Sequence, residues 1–421
     1  MAPLVPLIAT MKILVLFALI GISVAAVDYT GHQVYRSYPT PGENELLQRF
    51  GKVFELDFWS DYRHGDDFVD FRVSPELRSK VNEFLTKNRI NYEIFIEDLG
   101  IAIAKERKPK LSKMNDDSFD YFVYHTVDEI DEWITSFTKD NSFASVVTIG
   151  SGKSYEGRNM RGLKISTGSD RPAFVINCGI HAREWITPAT CLYTANKLMN
   201  EYNMNMTITH LMNGVDFYLI PSSNPDGYAY TWSNDRMWRK TRSKSDMCDT
   251  CIGVDPNRNW DFHWGEAGSS SDCCSESYKG SVAFSEIETK NQRDFVESIE
   301  NVRAYIDVHS YSQTWMYPYG YTKSPAPDAA ILEKIGRDSV SAISSVDSHV
   351  FQTGSISDVV YVASGSTADF FYSKGIKCSW GAELRDTGKY GFILPEDQIG
   401  KGAEEAFQGL CYCEEHTLGP C

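Results

Sequence analysis

Three residues in this chain have the types and spacing to hold a metal, and a fourth stands where it could move a proton. His181 and Glu184 have two residues between them in Gly179-Ile180-His181-Ala182-Arg183-Glu184-Trp185. Zinc accepts imidazole nitrogen and carboxylate oxygen, and a catalytic zinc site keeps three protein ligands and one open position. The HxxE spacing alone is weak, because His263-Trp264-Gly265-Glu266 also carries it. That second pair sits in a Gly/Ser-rich stretch with no buried strand before it and reads as surface. His309, in Val308-His309-Ser310-Tyr311, is the third candidate ligand. Glu383 closes the apolar run 376–382. A carboxylate there is costly unless paired or functional; the competing assignment is a strand-end partner for Arg385.

Each of these residues must be held by a rigid element. Ala173-Phe174-Val175-Ile176-Asn177-Cys178 is short and continuous, bounded by Pro172 and Gly179. That pattern suits a strand buried on both faces. Similar runs cover 215–220, 304–308 and 376–384. In open α/β sheets, ligands gather beyond the carboxyl ends of strands, where His181, His309 and Glu383 all fall. A helix is expected to open at Pro188, capped by Thr187, with Leu192, Ala195, Leu198 and Met199 on one side. Pro395 opens a last helix with Ile399, Ala403, Ala406 and Leu410 on one side. The alternation over 114–421 predicts an α/β domain with a largely parallel sheet.

The first quarter of the chain reads differently. Lys12, the apolar run 13–20, the small residues Ser23-Val24-Ala25-Ala26 and then Asp28 follow the order of a secretory signal peptide over 1–26, with Met11 as an alternative start. The run is short for a membrane span. Residues 53–59 and 67–73 alternate as strands, 75–88 reads as a helix with Leu77, Val81, Phe84 and Leu85 on one face, and 92–99 as a strand. This small α+β unit is followed by Lys105-Glu106-Arg107-Lys108-Pro109-Lys110-Leu111-Ser112-Lys113, basic and with almost nothing to bury. Its position after a compact unit favours an activation segment cut by a trypsin-like protease over a plain solvated linker.

Composition narrows the function class. The net charge of −16 disfavours nucleic acid, whose phosphates need a basic face. No stretch after the signal reaches membrane-spanning length, so a soluble, secreted protein is expected. Ten cysteines behind a signal peptide read as disulfides rather than as a metal cluster. Asn205-Met206-Thr207 is a glycosylation sequon, a pattern of low specificity.

Taken together, the motifs resemble the digestive A/B-type metallocarboxypeptidases over essentially the whole chain. Gly179-Ile180-His181-Ala182-Arg183-Glu184-Trp185-Ile186 is similar to that family's zinc motif, and His309-Ser310-Tyr311-Ser312-Gln313 to the segment with its third ligand. The resemblance implies one Zn2+ held by His181, Glu184 and His309, the His-Glu-His set known for carboxypeptidase A. Trp238-Arg239-Lys240-Thr241 matches the segment whose arginine steadies the oxyanion, and Asp255-Pro256-Asn257-Arg258-Asn259-Trp260 the segment that binds the substrate carboxylate. Arg258 would grip the carboxylate, helped by Asn257 and Tyr361, and Asp255 would orient His181. Ala382-Glu383-Leu384-Arg385 matches the segment of the general base, giving that role to Glu383.

By the same resemblance the pocket for the departing side chain is lined by Met316, Gly320, Ile356, Ser366, Ala368 and Gly381. Family members specific for basic residues carry an aspartate at the position of Ala368. Its absence implies a preference for apolar or aromatic C-terminal residues. Cys251 pairs with Cys274, and Cys178 with Cys191, in the family's pattern; Cys248, Cys273, Cys378, Cys411, Cys413 and Cys421 are left open. The implied fold is a mixed, mainly parallel eight-stranded sheet with helices on both faces, behind a prodomain of an antiparallel sheet and two helices. The expectation is a secreted, monomeric zymogen (propeptide 27–113, catalytic domain 114–421) that releases single C-terminal residues from peptides after trypsin-like cleavage. Two rivals are a related zinc amidohydrolase and a non-catalytic binding protein on the same fold.

Overall fold

The computed structural model describes residues 26–60, 68–106, 119–245 and 248–417, the side chains of 414–417 excepted. The signal segment up to residue 25 and the cleavage region 107–113 lie outside the described residues.

The amino-terminal unit is built on β1 (Gln33–Tyr38), β2 (Asp57–Phe58), β3 (Val69–Val73) and β4 (Asn91–Ile96), antiparallel in the order β2-β3-β1-β4. Helices Pro41–Phe54 and Arg78–Lys87 pack on it through Leu47, Val81 and Leu85. The alternation at 53–59 is misleading, since Val53 and Phe54 end the first helix. Thr40 and Glu43 form a reciprocal capping box with Pro41 at the first position, a start signal that outweighs local period-2 patterning. A third helix, Leu99–Glu106, takes the end of the expected strand and the start of the expected linker. Its last residue, Glu106, is buried and ion-paired with Arg236.

The larger unit holds β5 (Ala144–Lys153), β6 (Asn159–Ile165), β7 (Ala173–Cys178), β8 (Asp216–Ile220), β9 (Val302–Ser310), β10 (Thr314–Tyr317), β11 (Gln352–Ser355) and β12 (Cys378–Leu384). Their order is β11-β10-β12-β9-β7-β8-β6-β5. The central strands β12, β9, β7 and β8 run parallel; β6 and β5 add antiparallel strands at one edge. Every residue of β7 is buried because the sheet is covered twice. Phe174, Ile176 and Cys178 face one core with Leu192, Leu332 and Leu410; Val175 faces the other with Phe295, Phe370 and Phe371.

The helix after the zinc-motif loop runs Ile186–Glu201, two residues earlier than expected. Thr187 does not cap it. Its hydroxyl is taken by the loop, accepting from Gly179 N (2.9 Å) and donating to the Glu184 carbonyl (3.1 Å). Cys178 is bridged to Cys191, so β7 is tied to this helix. Cys251 is bridged to Cys274 and Cys248 to Cys273; Cys378 is also disulfide-bonded. Among the described residues no helix is long and apolar enough to cross a membrane.

Candidate metal centre and substrate cleft

Two parallel neighbours, β7 and β9, aim three donors at one point. Their register pairs Cys178 with Val308, so His181 and His309 emerge from adjacent strand ends. The turn needs Gly179, which has φ +70 and whose added Cβ would lie 3.2 Å from Ser222 Cα. Donor atoms of His181, Glu184 and His309 all lie within 4.8 Å of one another, and all three residues are buried.

The hydrogen bonds fix which nitrogens face inward. His181 Nε2 is 3.0 Å from Asp255 Oδ1, and His309 Nε2 is 3.1 Å from Asp307 Oδ2. When each ring donates its one hydrogen outward from Nε2 to these carboxylates, each Nδ1 keeps its lone pair for a cation. Those two Nδ1 atoms stand 3.1 Å apart, with Glu184 Oε1 2.9 Å from the first and Oε2 3.3 Å from the second. Three converging lone-pair donors in a buried site repel one another unless a cation lies among them. Two nitrogens and a carboxylate are a donor set that fits zinc. Ser310 N donates to Glu184 Oε2 (3.2 Å), fixing the carboxylate.

Asp255 joins the metal centre to the rest of the cleft. It caps the turn Pro256–Arg258, accepting from Asn257 N at 2.9 Å, and accepts from Arg239 Nη2 at 2.9 Å. Burial alone would raise its pKa, but Arg239, Arg258 and His181 hold it well below the ordinary carboxylate value. Arg239 is thereby held in turn, its positive charge secured by Asp255 against the cost of burial. Arg258 donates to Gly268 O, to Asn257 O and, through Nη2, to the Tyr361 hydroxyl (3.1 Å). Thr367 N donates to Asn257 Oδ1 at 2.9 Å, which turns the amide nitrogen toward the cleft.

One cavity is lined by His181, Arg239, Asn257, Arg258, His309, Tyr361 and Glu383 together with Met316, Ile356, Ser366, Ala368 and Gly381. Gly320 does not line it. A Cβ on it would come 3.1 Å from Ile356 Cγ2 and 3.0 Å from Ala363 O, both residues of the lining. The Arg385 guanidinium binds Glu405 (2.6 and 2.9 Å) and Gln398 (2.7 Å). His263 and Glu266 pair with each other at the surface, with the ring stacked on Tyr321 at 3.6 Å.

The amino-terminal unit packs along this cleft. Asp57 pairs with Arg183 inside the zinc motif (3.1 Å), and the Tyr311 hydroxyl, two residues past His309, donates to Asp70 (2.8 Å). Trp59 packs on Phe392 in a shared apolar cluster with Met237 and Tyr311. Arg183 and Asp307 were not singled out from sequence. Asp307 carried a usable signal, being a carboxylate inside an otherwise apolar strand; it also accepts from Asn177 (2.7 Å) and Thr367 (2.6 Å).

Comparison with known proteins agrees with this geometry. A family profile described as zinc carboxypeptidase matches residues 130–409, and one described as carboxypeptidase activation peptide matches 35–106. Carboxypeptidase A1 of Rattus norvegicus is 41% identical over 97% of this chain and 99% of its own. Carboxypeptidase A2 of the same species is 41% identical over 96% and 98%. The crystal structure of thrombin activatable fibrinolysis inhibitor superposes with a TM-score of 0.85 at 35% identity, covering 92% of this chain and 99% of that one. Carboxypeptidase A from Helicoverpa armigera gives 0.84 at 29% identity, covering 93% and 98%. The chain belongs to the zinc carboxypeptidase family, made with an activation peptide, and is a zinc-dependent enzyme that hydrolyses the C-terminal peptide bond of its substrates.

Proposed function

We propose that the enzyme removes single apolar or aromatic residues from peptide C-termini, with His181, Glu184 and His309 as the zinc ligands. The observation that carries this is the sharing of one cleft by the three donors, a carboxylate (Glu383) and the Arg258–Tyr361 pair. Arg258 holds the substrate's terminal carboxylate through its planar fork, with Asn257 and Tyr361 beside it. That grip admits a free C-terminus and sets the scissile bond at a fixed distance from the metal centre. Zinc bound there supplies a Lewis acid that polarises a carbonyl and makes water a better nucleophile. Glu383 takes a proton from the attacking water and delivers it to the departing amine. Arg239 donates to the oxygen on which negative charge develops, a role prepared by its ion pair with Asp255. Asp255 orients His181 by holding its Nε2 hydrogen.

Ala368 and Gly381 leave the pocket uncharged at these two positions. A Cβ on Gly381 would meet only Met316 Cε at 3.9 Å and Ile356 Cδ1 at 4.0 Å, so large side chains have room. The chain is a secreted monomer with signal peptide 1–26, propeptide 27–113 and catalytic domain 114–421. A trypsin-like protease frees the cleft by cutting near Lys110 or Lys113; the packing of Asp57 and Asp70 against Arg183 and Tyr311 supports a propeptide that inhibits until then.

The test treats the purified precursor with trypsin and assays peptides ending in Phe and in Arg, with and without a zinc chelator. Release of Phe only after trypsin, abolished by the chelator, is the expected result. Release of Arg in its place overturns the pocket assignment. Release of neither, with zinc bound, overturns the catalytic roles.

A further inference from the structure

We propose that Asn205 is an N-glycosylation site. The inference rests on the secretory route proposed above, and it gives a role to a sequence motif that the cleft leaves unused. Asn205-Met206-Thr207 has the acceptor spacing, and all three residues are exposed, Asn205 as the cap and Met206-Thr207 in the first turn of the helix Met206–Gly214. An acceptor sequence buried in a sheet or helix interior cannot enter another enzyme's site; this one stands clear of that helix's packing face.

The local geometry suits the reaction. Asn205 Oδ1 accepts from Thr207 N at 3.0 Å and from Ile208 N at 3.4 Å. This closes an Asx turn, which presents Nδ2 on the outside and polarises the amide. Nδ2 donates one hydrogen to Glu201 Oε2 at 2.9 Å, and among the described residues it has no second partner. Substitution of the second hydrogen therefore leaves both the helix cap and the Glu201 contact in place. In the transfer, Nδ2 forms a bond to the anomeric carbon of a lipid-linked diphosphate oligosaccharide. The bond from that carbon to the phosphate oxygen breaks, the lipid diphosphate leaves with the electron pair, and the amide gives up one proton to a base. No oxidant or reductant is needed.

A second observation points the same way. Met206 and Met204, which flank Asn205, are 90% and 78% exposed, the highest values for large apolar side chains among the described residues. Bare apolar groups of this kind at a loop tip are a liability that an attached oligosaccharide covers. The site is also remote from the chemistry. The 16-residue helix that begins beside the zinc motif ends at Glu201, which at 1.5 Å per residue is a span of roughly 24 Å. Modification should leave turnover unchanged.

The test expresses the full chain in a eukaryotic secretory cell and treats the product with peptide N-glycosidase. The expected result is secreted enzyme whose mobility shifts on treatment, with the Asn205 amide converted to a carboxylate in the peptide mass spectrum. Thr207→Ala and Asn205→Asp should lose the shift, the first keeping the cap through the backbone N–H and the second through a carboxylate oxygen. Thr207→Ser should retain it, and all three should keep wild-type kcat/KM. A secreted chain with an unmodified Asn205 peptide overturns the site while leaving the secretory reading intact. A chain retained in the cytosol overturns the secretory reading and this one with it.

Discussion

Glu383 and His309 are register partners on adjacent parallel strands, so the carboxylate and the third candidate metal ligand leave the sheet side by side. The backbone ladder, not side-chain packing alone, fixes their separation. Replacing Glu383 by Gln keeps the shape and removes the proposed proton acceptor. The expected outcome is a fall in kcat of about 10²–10⁴-fold, the usual contribution of general acid–base catalysis. Bound zinc, measured by elemental analysis, should be unchanged; loss of zinc would mean that Glu383 supports the metal instead.

Specificity should switch at Ala368, a buried residue in the wall of the cavity. Ala368→Asp places a carboxylate where the pocket offers a cationic side chain no counter-charge. The kcat/KM for peptides ending in Arg should rise at least tenfold, about 1.4 kcal/mol of transition-state stabilisation, while that for Phe falls. Unchanged ratios for the two substrates would remove Ala368 from the pocket.

Cleavage of the propeptide and onset of activity should separate in time. Glu106 grips Arg236 through two bonds of 2.7 and 2.8 Å, with both side chains 1% exposed. Arg236 also donates to the carbonyls of Arg183 and Phe392, so the pair clamps the propeptide's last helix onto the zinc-motif loop. Breaking a buried pair by removing one partner costs about 3–5 kcal/mol. Glu106→Gln should shorten the lag between chain cleavage, followed by gel, and peptidase activity. An unaltered lag would place the holding contacts elsewhere.

Glu288 should make the fold sensitive to neutral pH. It is buried, and its Oε1 accepts from Tyr155 N at 2.9 Å. Burial, reinforced by the charges of Glu286 and Asp226, pushes its pKa up to about 7 against the pull of that N–H. The unfolded chain loses the proton near 4.5 while the folded one keeps it, so the unfolded state binds fewer protons and stability falls as pH rises from 4.5 to 7. Glu288→Gln can still accept from Tyr155 and carries no charge. At pH 8 it should be more stable than the wild type by up to about 3 kcal/mol, with the gap closing toward pH 4.5. Denaturant melts across that range decide it.

What could be read from the chain depended on how much a signal owed to tertiary context. The strands β7, β9 and β12 were legible because a strand covered on both faces must be apolar throughout, and their ends carried His181, His309 and Glu383 with them. The helix Pro41–Phe54 was hidden in part because its last residues continue into an alternating run, while the capping box that starts it lies thirteen residues earlier. Thr187 had the right type for a cap, but nothing in the sequence says that the loop hydrogen-bonds its hydroxyl first. Gly320 was carried over as a pocket residue by resemblance, whereas the cavity is lined by its neighbours Ile356 and Ala363. The bridge Cys248–Cys273 could not be deduced, since adjacent Cys273 and Cys274 offer either partner the same reach.

The pairing of Cys178 with Val308 has a consequence for folding as well as for catalysis. His181 and His309 are 128 positions apart, and only the correct alignment of β7 with β9 brings them together. At about 3.3 Å per residue, a slip of two places would keep the faces correct yet move one ligand about 6.6 Å. That exceeds the 4.8 Å within which the donors now converge. Strands buried on both faces cannot discriminate against such a slip by burial, but a three-point cation site can. An ion held by these three donors would act as a registration pin at the middle of the sheet. Amide exchange in β7 and β9 should slow on zinc binding, with little change at the distant edge strand β5.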